Sequence, residues 1–395
     1  MATVLSKPLM QSPSTSLSDR CILLTVNSHG ELYYWVAPFL RALSAYSKPP
    51  EVWVFVPPCQ FSSGEEARIV SFFPLVKRVF PPKETIKTIM KPRAIRREGK
   101  GLVIFFGGDV FAALLLKKRS GFPLWVYGHP PKWARSVDAH LARFRWDHDH
   151  SDVRQKFFLG DLLRSVSEEI PLLPGKNNAI FPPGRPRILF LPGSRPMYYS
   201  FLLPFFVEVA QSIRASYERA SFSISFPAHY SVSMIEGIDV LKTHIKPQFG
   251  YTSRLIEESD CSVAVPGSNN LEIAYRRKKG VVILPLDRPE KLPLEGLGGW
   301  LEKIPFFGTI VKRNIVLRVE RSKRWISLPN LLTDREILPE IRGKVDPKRV
   351  AKELDRLLQC PEQDYPFPEP DYPTGAAQNL SDLVMKYFEG APLPW

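Results

Sequence analysis

The feature that most constrains this chain is an alternation that runs, breaks and restarts. From Arg20 onward, short runs of β-branched, leucine and aromatic residues give way to turns and then to stretches with apolar residues three and four apart. Residues 21–26, 51–56, 102–106, 124–127 and 156–159 read as buried strands. Residues 32–46 read as a helix carrying Trp35, Val36, Phe39, Leu40 and Leu43 on one face. Strands separated by helices predict parallel βαβ units. The segment 170–186, with Pro171, Pro174, Pro182, Pro183, Pro186, Gly175 and Gly184, has the composition of a linker. Beyond it the alternation resumes, with strands at 187–191, 222–226, 262–265 and 281–284 and helices at 202–217, 252–259 and 270–278. The predicted fold class is α/β, two Rossmann-like domains facing across a cleft. The expected organisation is a leader over 1–19, a first domain over 20–170, a linker over 171–186, a second domain over 187–360, and a tail over 361–395. A helix follows at 346–359, and a last helix at 379–388 packs back on the body.

Composition removes rival classes. Cys21, Cys59, Cys261 and Cys360 are far apart with no metal or disulfide spacing, so a reduced, cytosol-facing protein is the economical reading. The greasiest run, 201–209, contains Pro204 and Glu208 and falls short of the ~18 to 20 apolar residues of a spanning helix. Residues 1–19, rich in Ser, Thr and Pro with no acid before Asp19, read as a disordered leader, with an organellar transit peptide as the alternative.

The net charge is +14, and half of it lies between Lys77 and Lys100: nine basic residues, Arg93, Arg96 and Arg97 among them, against Glu84 and Glu98. Phe72, Phe73, Leu75, Val79, Phe80, Ile86, Ile89 and Met90 lie in or beside this segment, which suits an anionic membrane surface. A solvated basic face explains the charge equally well. A nucleic-acid partner is not expected, because no interleaved aromatic and basic motif accompanies it.

Two strand-to-helix turns in the second half have the chemistry of phosphate binding. In Pro192-Gly193-Ser194-Arg195, glycine allows close backbone approach and the guanidinium can fork onto a diphosphate. In Pro266-Gly267-Ser268-Asn269, the N–H groups of the following helix face an anion, and Glu272, expected in its first turn, can accept from a ribose diol. An ordinary capped helix is the alternative for either turn alone. In the first half, Asp109 ends a strand where it can take a proton from a hydroxyl or simply cap a helix. His29, in Asn27-Ser28-His29-Gly30-Glu31, can reach the same cleft or sit at a capped helix start. Residues 145–152 offer two imidazoles and three carboxylates, enough on paper for a divalent ion, although a polar surface loop has the same letters.

Leu191-Pro-Gly-Ser-Arg195, Pro266-Gly-Ser-Asn-Asn-Leu-Glu272 and Ile326-Ser-Leu-Pro-Asn-Leu-Leu332 followed by Arg335-Glu336 resemble the lipid-A-disaccharide synthases, inverting glycosyltransferases of the GT-B type. The likeness is continuous over 187–360 and thins to fragments before it. It implies a UDP-sugar donor held by Arg195 at the diphosphate and Glu272 at the ribose, with Gly193, Ser194, Gly267, Ser268 and Asn269 in the turns. Asn330 falls in the run that closes the nucleotide site, and Asp109, just before Phe111, matches the proposed general base. His29 and Glu31 lie in the acceptor loop. The resemblance further implies no metal or other cofactor, an acylated sugar phosphate acceptor, and peripheral action on the inner membrane face; a homodimer is compatible with the sequence. The chain departs from the family where Gly-Glu-x-Ser-Gly-Asp reads Asn27-Ser28-His29-Gly30-Glu31, and where Asp-Ala-Pro-Asp-Phe-Asn survives only as Gly107-Gly108-Asp109-Val110-Phe111. The rival expectation is a non-catalytic membrane-associated UDP-sugar-binding protein.

Overall fold

The computed structural model describes residues 20–58, 64–91, 95, 99–169, 180–195, 198–230, 244–285, 324–360, 367 and 372–393. The leader, most of the linker, and Arg93, Arg96 and Arg97 lie outside them. The described residues build two fully parallel sheets. The first has seven strands, β1 (Arg20–Thr25), β2 (Glu51–Phe55), β3 (Val76–Phe80), β4 (Lys100–Phe105), β5 (Leu124–Gly128), β6 (Ala139–Ala142) and β7 (Lys156–Phe158), in the order β3-β2-β1-β4-β5-β6-β7. The second has six, β8 (Arg187–Leu191), β9 (Ser221–Phe226), β10 (Ile245–Phe249), β11 (Cys261–Ala264), β12 (Gly280–Pro285) and β13 (Glu340–Gly343), in the order β10-β9-β8-β11-β12-β13.

Each sheet therefore starts from a central strand, winds outward, then reverses and winds the other way. The reversal falls between β1 and β4 in the first sheet and between β8 and β11 in the second. Loops at the carboxyl ends of such a pair diverge and leave a crevice, the usual ligand site of doubly wound sheets.

Apolar side chains alternate across the central strands, because successive residues of a strand face opposite sides of the sheet. Ile22 and Leu24 of β1 pack in one cluster and Cys21 and Leu23 in another; Ile188 and Phe190 of β8 face away from Leu189 and Leu191. All eight are fully or almost fully buried, which is why these runs read as continuously apolar.

The first helical region is α1 (His29–Glu31), a π-helical turn (Leu32–Val36) and α2 (Ala37–Ser44). It starts earlier than expected, because Ser28 and Glu31 form a reciprocal capping box. Then come α3 (Glu66–Val70), α4 (Pro82–Met90), α5 (Val110–Ser120), α6 (Arg145–Asp149) and α7 (Leu162–Glu169). In the second sheet's layers lie α8 (Tyr199–Ser216), α9 (Thr252–Glu258), α10 (Ser268–Tyr275) and the helices Leu328–Thr333 and Pro347–Gln359. The last helix, Ala376–Glu389, returns to the first sheet, where Leu380, Val384 and Phe388 share a core with Phe39, Leu40 and Leu43 of α2.

The two sheets meet through a common apolar cluster. Tyr34, Phe144, Leu163 and Val166 from the first pack with Leu255, Leu271 and Ala274 from the second. Beside it Arg143 and Asp161 form a buried two-point ion pair, at 2.7 and 2.9 Å, and Asp161 also accepts from the Tyr275 hydroxyl at 2.8 Å. Charges buried this deeply need every hydrogen-bonding position filled, so the pair, which lies within the first domain, holds Asp161 in place and Tyr275 of the second domain completes its bonding across the seam.

Candidate functional site

Four loops lie at the two topological reversals: 26–31 after β1 and 106–109 after β4 in the first domain, and 192–195 after β8 and 265–267 after β11 in the second. Every site residue expected from the sequence except Asn330 falls in these loops or in the helices that start from them.

In the second domain, Gly193 has φ +81°, a left-handed conformation that favours glycine and turns the chain sharply off β8. Two phenols brace the turn, as Tyr199 donates to the Gly193 carbonyl at 2.9 Å and Tyr230 to that of Ser194 at 3.0 Å. Ser194 itself is exposed and Arg195 is half-buried. At the second turn, α10 opens at Ser268, two residues before the expected start, so Glu272 lies one turn further in than expected. No side chain caps the helix at Gly267, and a side chain there would meet only open space. Asn270, fully buried, accepts from the Gly267 N–H at 3.0 Å and donates to the Val265 carbonyl at 3.1 Å. The geometry leaves the start of α10 open toward the crevice, with its positive dipole end unspent.

Glu272 is fully buried. One carboxylate oxygen pairs with Arg276 at 3.1 Å, and the other lies 2.8 Å from the hydroxyl of Tyr34, which comes from the first domain. The same hydroxyl lies 2.7 Å from the side-chain oxygen of Asn269. Burial and the neighbouring Glu272 raise the Tyr34 phenol far above its ordinary value, so it stays a donor. A neutral hydroxyl between Glu272 and Asn269 occupies the place expected for a ribose diol.

Asn330 is also fully buried, and all its hydrogen-bonding capacity is used. It donates to the Leu338 carbonyl and to Glu340, at 2.7 and 2.9 Å, and accepts from the N–H groups of Ile337 and Leu338, at 2.7 and 2.9 Å. Ser327 donates to the same Glu340 oxygen through its hydroxyl and its N–H, both at 2.8 Å. The polar letters of the Ser-Leu-Pro-Asn run thus staple the helix Leu328–Thr333 to the start of β13, and that helix packs on α10.

In the first domain, Asp109 is exposed and caps α5, accepting from the Phe111 N–H at 2.9 Å. Phe111 is half-exposed and stands edge-on to the exposed Trp133, ring centres 5.8 Å apart. Glu31 turns back into its own loop and accepts from the N–H groups of Asn27 and Ser28, each at 3.2 Å. It sits against Gly107 so tightly that a Cβ there would land inside the carboxylate. Burial pushes the Glu31 carboxyl up to about 7. Burial first, and the nearby His229 second, lower His29 to about 4.

The letters at 145–152 are spent locally. Asp147 holds His129 at 2.7 Å and the Phe144 N–H at 3.1 Å, His148 pairs with Asp149, and His150 contacts the Trp146 carbonyl. Among the described residues no group of three or more His, Cys, Asp or Glu is placed to hold a metal ion. Of the described residues of the basic segment, Lys77 and Arg78 lie on the edge strand β3, Lys83 and Lys87 on the amphipathic α4, and Lys100 opens β4. Lys83, Ile86, Lys87 and Met90 lie exposed along one side of α4, whereas Phe80 and Ile89 are buried; Phe72 is exposed between α3 and β3. Among the described residues no helix is long and apolar enough to cross a membrane.

Sequence reasoning missed Tyr34, Glu66, His229 and Tyr230. His229 lies three residues beyond the end of β9, so the rule that pointed to Asp109 and Arg195, a polar residue just past a parallel strand, points to it as well.

No protein-family model matches the chain. Curated lipid-A-disaccharide synthases do: that of Chromobacterium violaceum is 23% identical over 201 residues, 49% of this chain and 46% of the relative. Those of Anaeromyxobacter dehalogenans (strain 2CP-1) and Myxococcus xanthus are 25% and 24% identical over 242 and 260 residues, 56% and 61% of each relative. The chain spans about half the length of the curated relatives it matches. Among solved structures, Staphylococcus aureus MnaA with UDP superposes with a TM-score of 0.59 at 14% identity, covering 95% of this chain and 99% of that one. The UDP-GlcNAc 2-epimerase of Methanocaldococcus jannaschii, in complex with UDP-GlcNAc and UDP, gives 0.55 at 11% identity over 93% and 99%. The fold is the two-domain GT-B type, and the sequence is similar to the lipid-A-disaccharide synthases.

Proposed function

We propose that the protein is an inverting glycosyltransferase of the lipid-A-disaccharide synthase kind, moving an acylated glucosamine from a UDP-sugar to a lipid-linked glucosamine 1-phosphate. The observation that supports this reading is that each sheet reverses beside a strand-end loop and that the domains touch there, His29 against His229 and Tyr34 against Asn269. The second domain offers a glycine turn with Arg195 and an open helix start, and the first offers Asp109 at the start of α5. Arg195 and the N–H groups of α10 hold the diphosphate and stabilise the charge that grows on it as the anomeric bond breaks. Asp109 takes the proton of the acceptor hydroxyl as its oxygen attacks the anomeric carbon from the opposite face, and UDP leaves. Glu272 and Asn269 accept from the ribose once Tyr34 has withdrawn, and Asn330 acts by holding the segment behind α10. Exposed Ile86 and Met90 with Lys83 and Lys87 on one side of α4 offer an apolar, cationic face to an anionic inner membrane.

Calorimetric titration with UDP tests the donor side: binding to the wild type is expected, weakened about 10- to 100-fold in Arg195→Ala, as for a lost charge-assisted hydrogen bond. Absence of UDP binding to the wild type would sink the reading. A second reading, a UDP-sugar-binding protein without transfer activity, is favoured by the use of Asp109 as a helix cap. Asp109→Asn separates the two, because asparagine caps as well as aspartate. An enzyme is expected to lose roughly 100- to 10,000-fold in transfer with UDP binding intact, the scale of a missing general base. A binding protein has no transfer to lose.

A further inference from the structure

Between the two domains, beside the crevice, two histidines face one another. His29 follows β1 and His229 follows β9, and their ring centres are 4.8 Å apart. The Nδ1 of His29 and both ring nitrogens of His229 are enclosed with no hydrogen-bond partner among the described residues. Enclosed polar nitrogens left unpaired cost free energy, and in a folded protein they call for an explanation such as a group that binds there.

Position identifies that group. His229 stands edge-on to Tyr230, ring centres 4.4 Å apart, and Tyr230 is the residue whose hydroxyl holds the Ser194 carbonyl. The imidazole pair is thus linked through Tyr230 to the Gly193-Ser194-Arg195 turn and adjoins the first domain's loop. The groups around it come from several elements: Glu65, Glu66 and Arg68 on α3 or its start, Glu31 and Tyr33 in the first helical region, and Tyr230. Buried Glu66 accepts from the Gly64 N–H at 3.0 Å. Burial keeps both imidazoles below their ordinary pKa, so the empty pair is neutral at pH 7.

We propose that His29 and His229 together form a cross-domain subsite for a phosphate oxygen, that of the donor's diphosphate, and take up a proton when it binds. This rests on the donor reading above. The alternative source of the same chemistry is the acceptor's 1-phosphate, and the link through Tyr230 to the Gly193 turn favours the diphosphate. A phosphate anion favours the charged imidazole, so binding and protonation are linked and UDP binds more tightly as the pH falls through the bound-state pKa toward the lower free-state one.

The test is calorimetry of UDP in buffers of different ionisation enthalpy at pH 6.5, with the wild type, His29→Gln and His229→Gln. Expected is uptake of a fraction of a proton to one proton per UDP in the wild type. Uptake near zero is expected in each variant, with affinity about 5- to 20-fold weaker at pH 6.5 and nearly restored at pH 8.5. Uridine is expected to give no uptake. Uptake with glucosamine 1-phosphate but not with UDP overturns the assignment to the diphosphate. UDP binding whose buffer dependence is the same in wild type and variants overturns the subsite while leaving the donor reading standing; no UDP binding at all overturns both. Should a variant fail to fold, the ring resonances of His229 in the wild type give the answer: UDP is expected to raise their titration midpoint, and an unmoved midpoint refutes the proposal.

Discussion

The two domains share a winding order around their central strands and differ in what fills the ends of those strands. In the second domain the reversal is bordered by glycines: Gly193 bends away from β8 and Gly267 leaves the start of α10 open. In the first domain the matching space is occupied by the protein itself, with the Glu31 carboxylate pressed against Gly107 and bonded to two N–H groups of its own loop. A phosphate can be held by backbone and dipole alone, which lets a donor turn keep a generic form. An acceptor is recognised by particular side chains, and on the proposed reading those belong to the first domain.

The comparison can be broken most forcefully at the seam. Asp161→Ala leaves Arg143 buried without its partner and is expected to cost about 3 kcal/mol or more, seen as a large fall in melting temperature. If the melting temperature hardly moves, the buried pair on the first domain's side of the seam is not what holds it. A smaller effect is expected where the first domain reaches into the second. Tyr34→Phe removes the hydroxyl bonded to Glu272 and Asn269; if the ribose takes that place as proposed, UDP should bind about 3- to 10-fold more tightly by calorimetry, the scale of one hydrogen bond. Weaker binding would mean that Tyr34 serves the nucleotide instead of standing in its way.

A pH-dependent effect sharpens the contrast at Glu31. Its carboxyl is raised from 4.5 to about 7 in the folded protein, so the folded state holds the proton more tightly than the unfolded one. Its contribution is complete below pH 4.5 and is lost as the pH rises through 7. Glu31→Gln, always neutral, should melt about 6 to 12 °C above the wild type at pH 8, from roughly 3 kcal/mol at about 2 to 4 °C per kcal/mol, and converge with it near pH 4. His29, lowered to about 4, destabilises in the opposite direction as the pH falls from 6.5, but it is common to both proteins and cancels. A constant difference across that range would mean that Glu31 is not titrating in its loop.

The central strands were legible because both of their faces are buried, which forces an unbroken apolar run, as in Cys21-Ile-Leu-Leu. The edges were not. Strand β3 reads Val-Lys-Arg-Val-Phe, β10 carries Pro247, which only an edge strand tolerates, and β13 is four residues long. Interior β6 was hidden by His140 and two alanines. The donor turns could be read because glycine and proline mark them locally. Tyr34, Glu66 and His229 carried no such mark, since the meaning of each comes from a residue on another element, for His229 and Tyr34 across the domain seam. The Ser-Leu-Pro-Asn run was recognisable as a motif, but its work of pinning its own helix to Glu340 is visible only in three dimensions.

The return of the helix Ala376–Glu389 to the first domain sets the order in which the protein can be finished. Tyr46 bonds Asp382, 336 residues later, and Phe39 shares its core with Phe388. A ribosome releasing this chain delivers the whole second sheet before the piece that closes the first domain's apolar face. That domain must therefore wait, with part of its core uncovered, while its younger neighbour is already able to fold, so the first half of the gene product is the last to be complete.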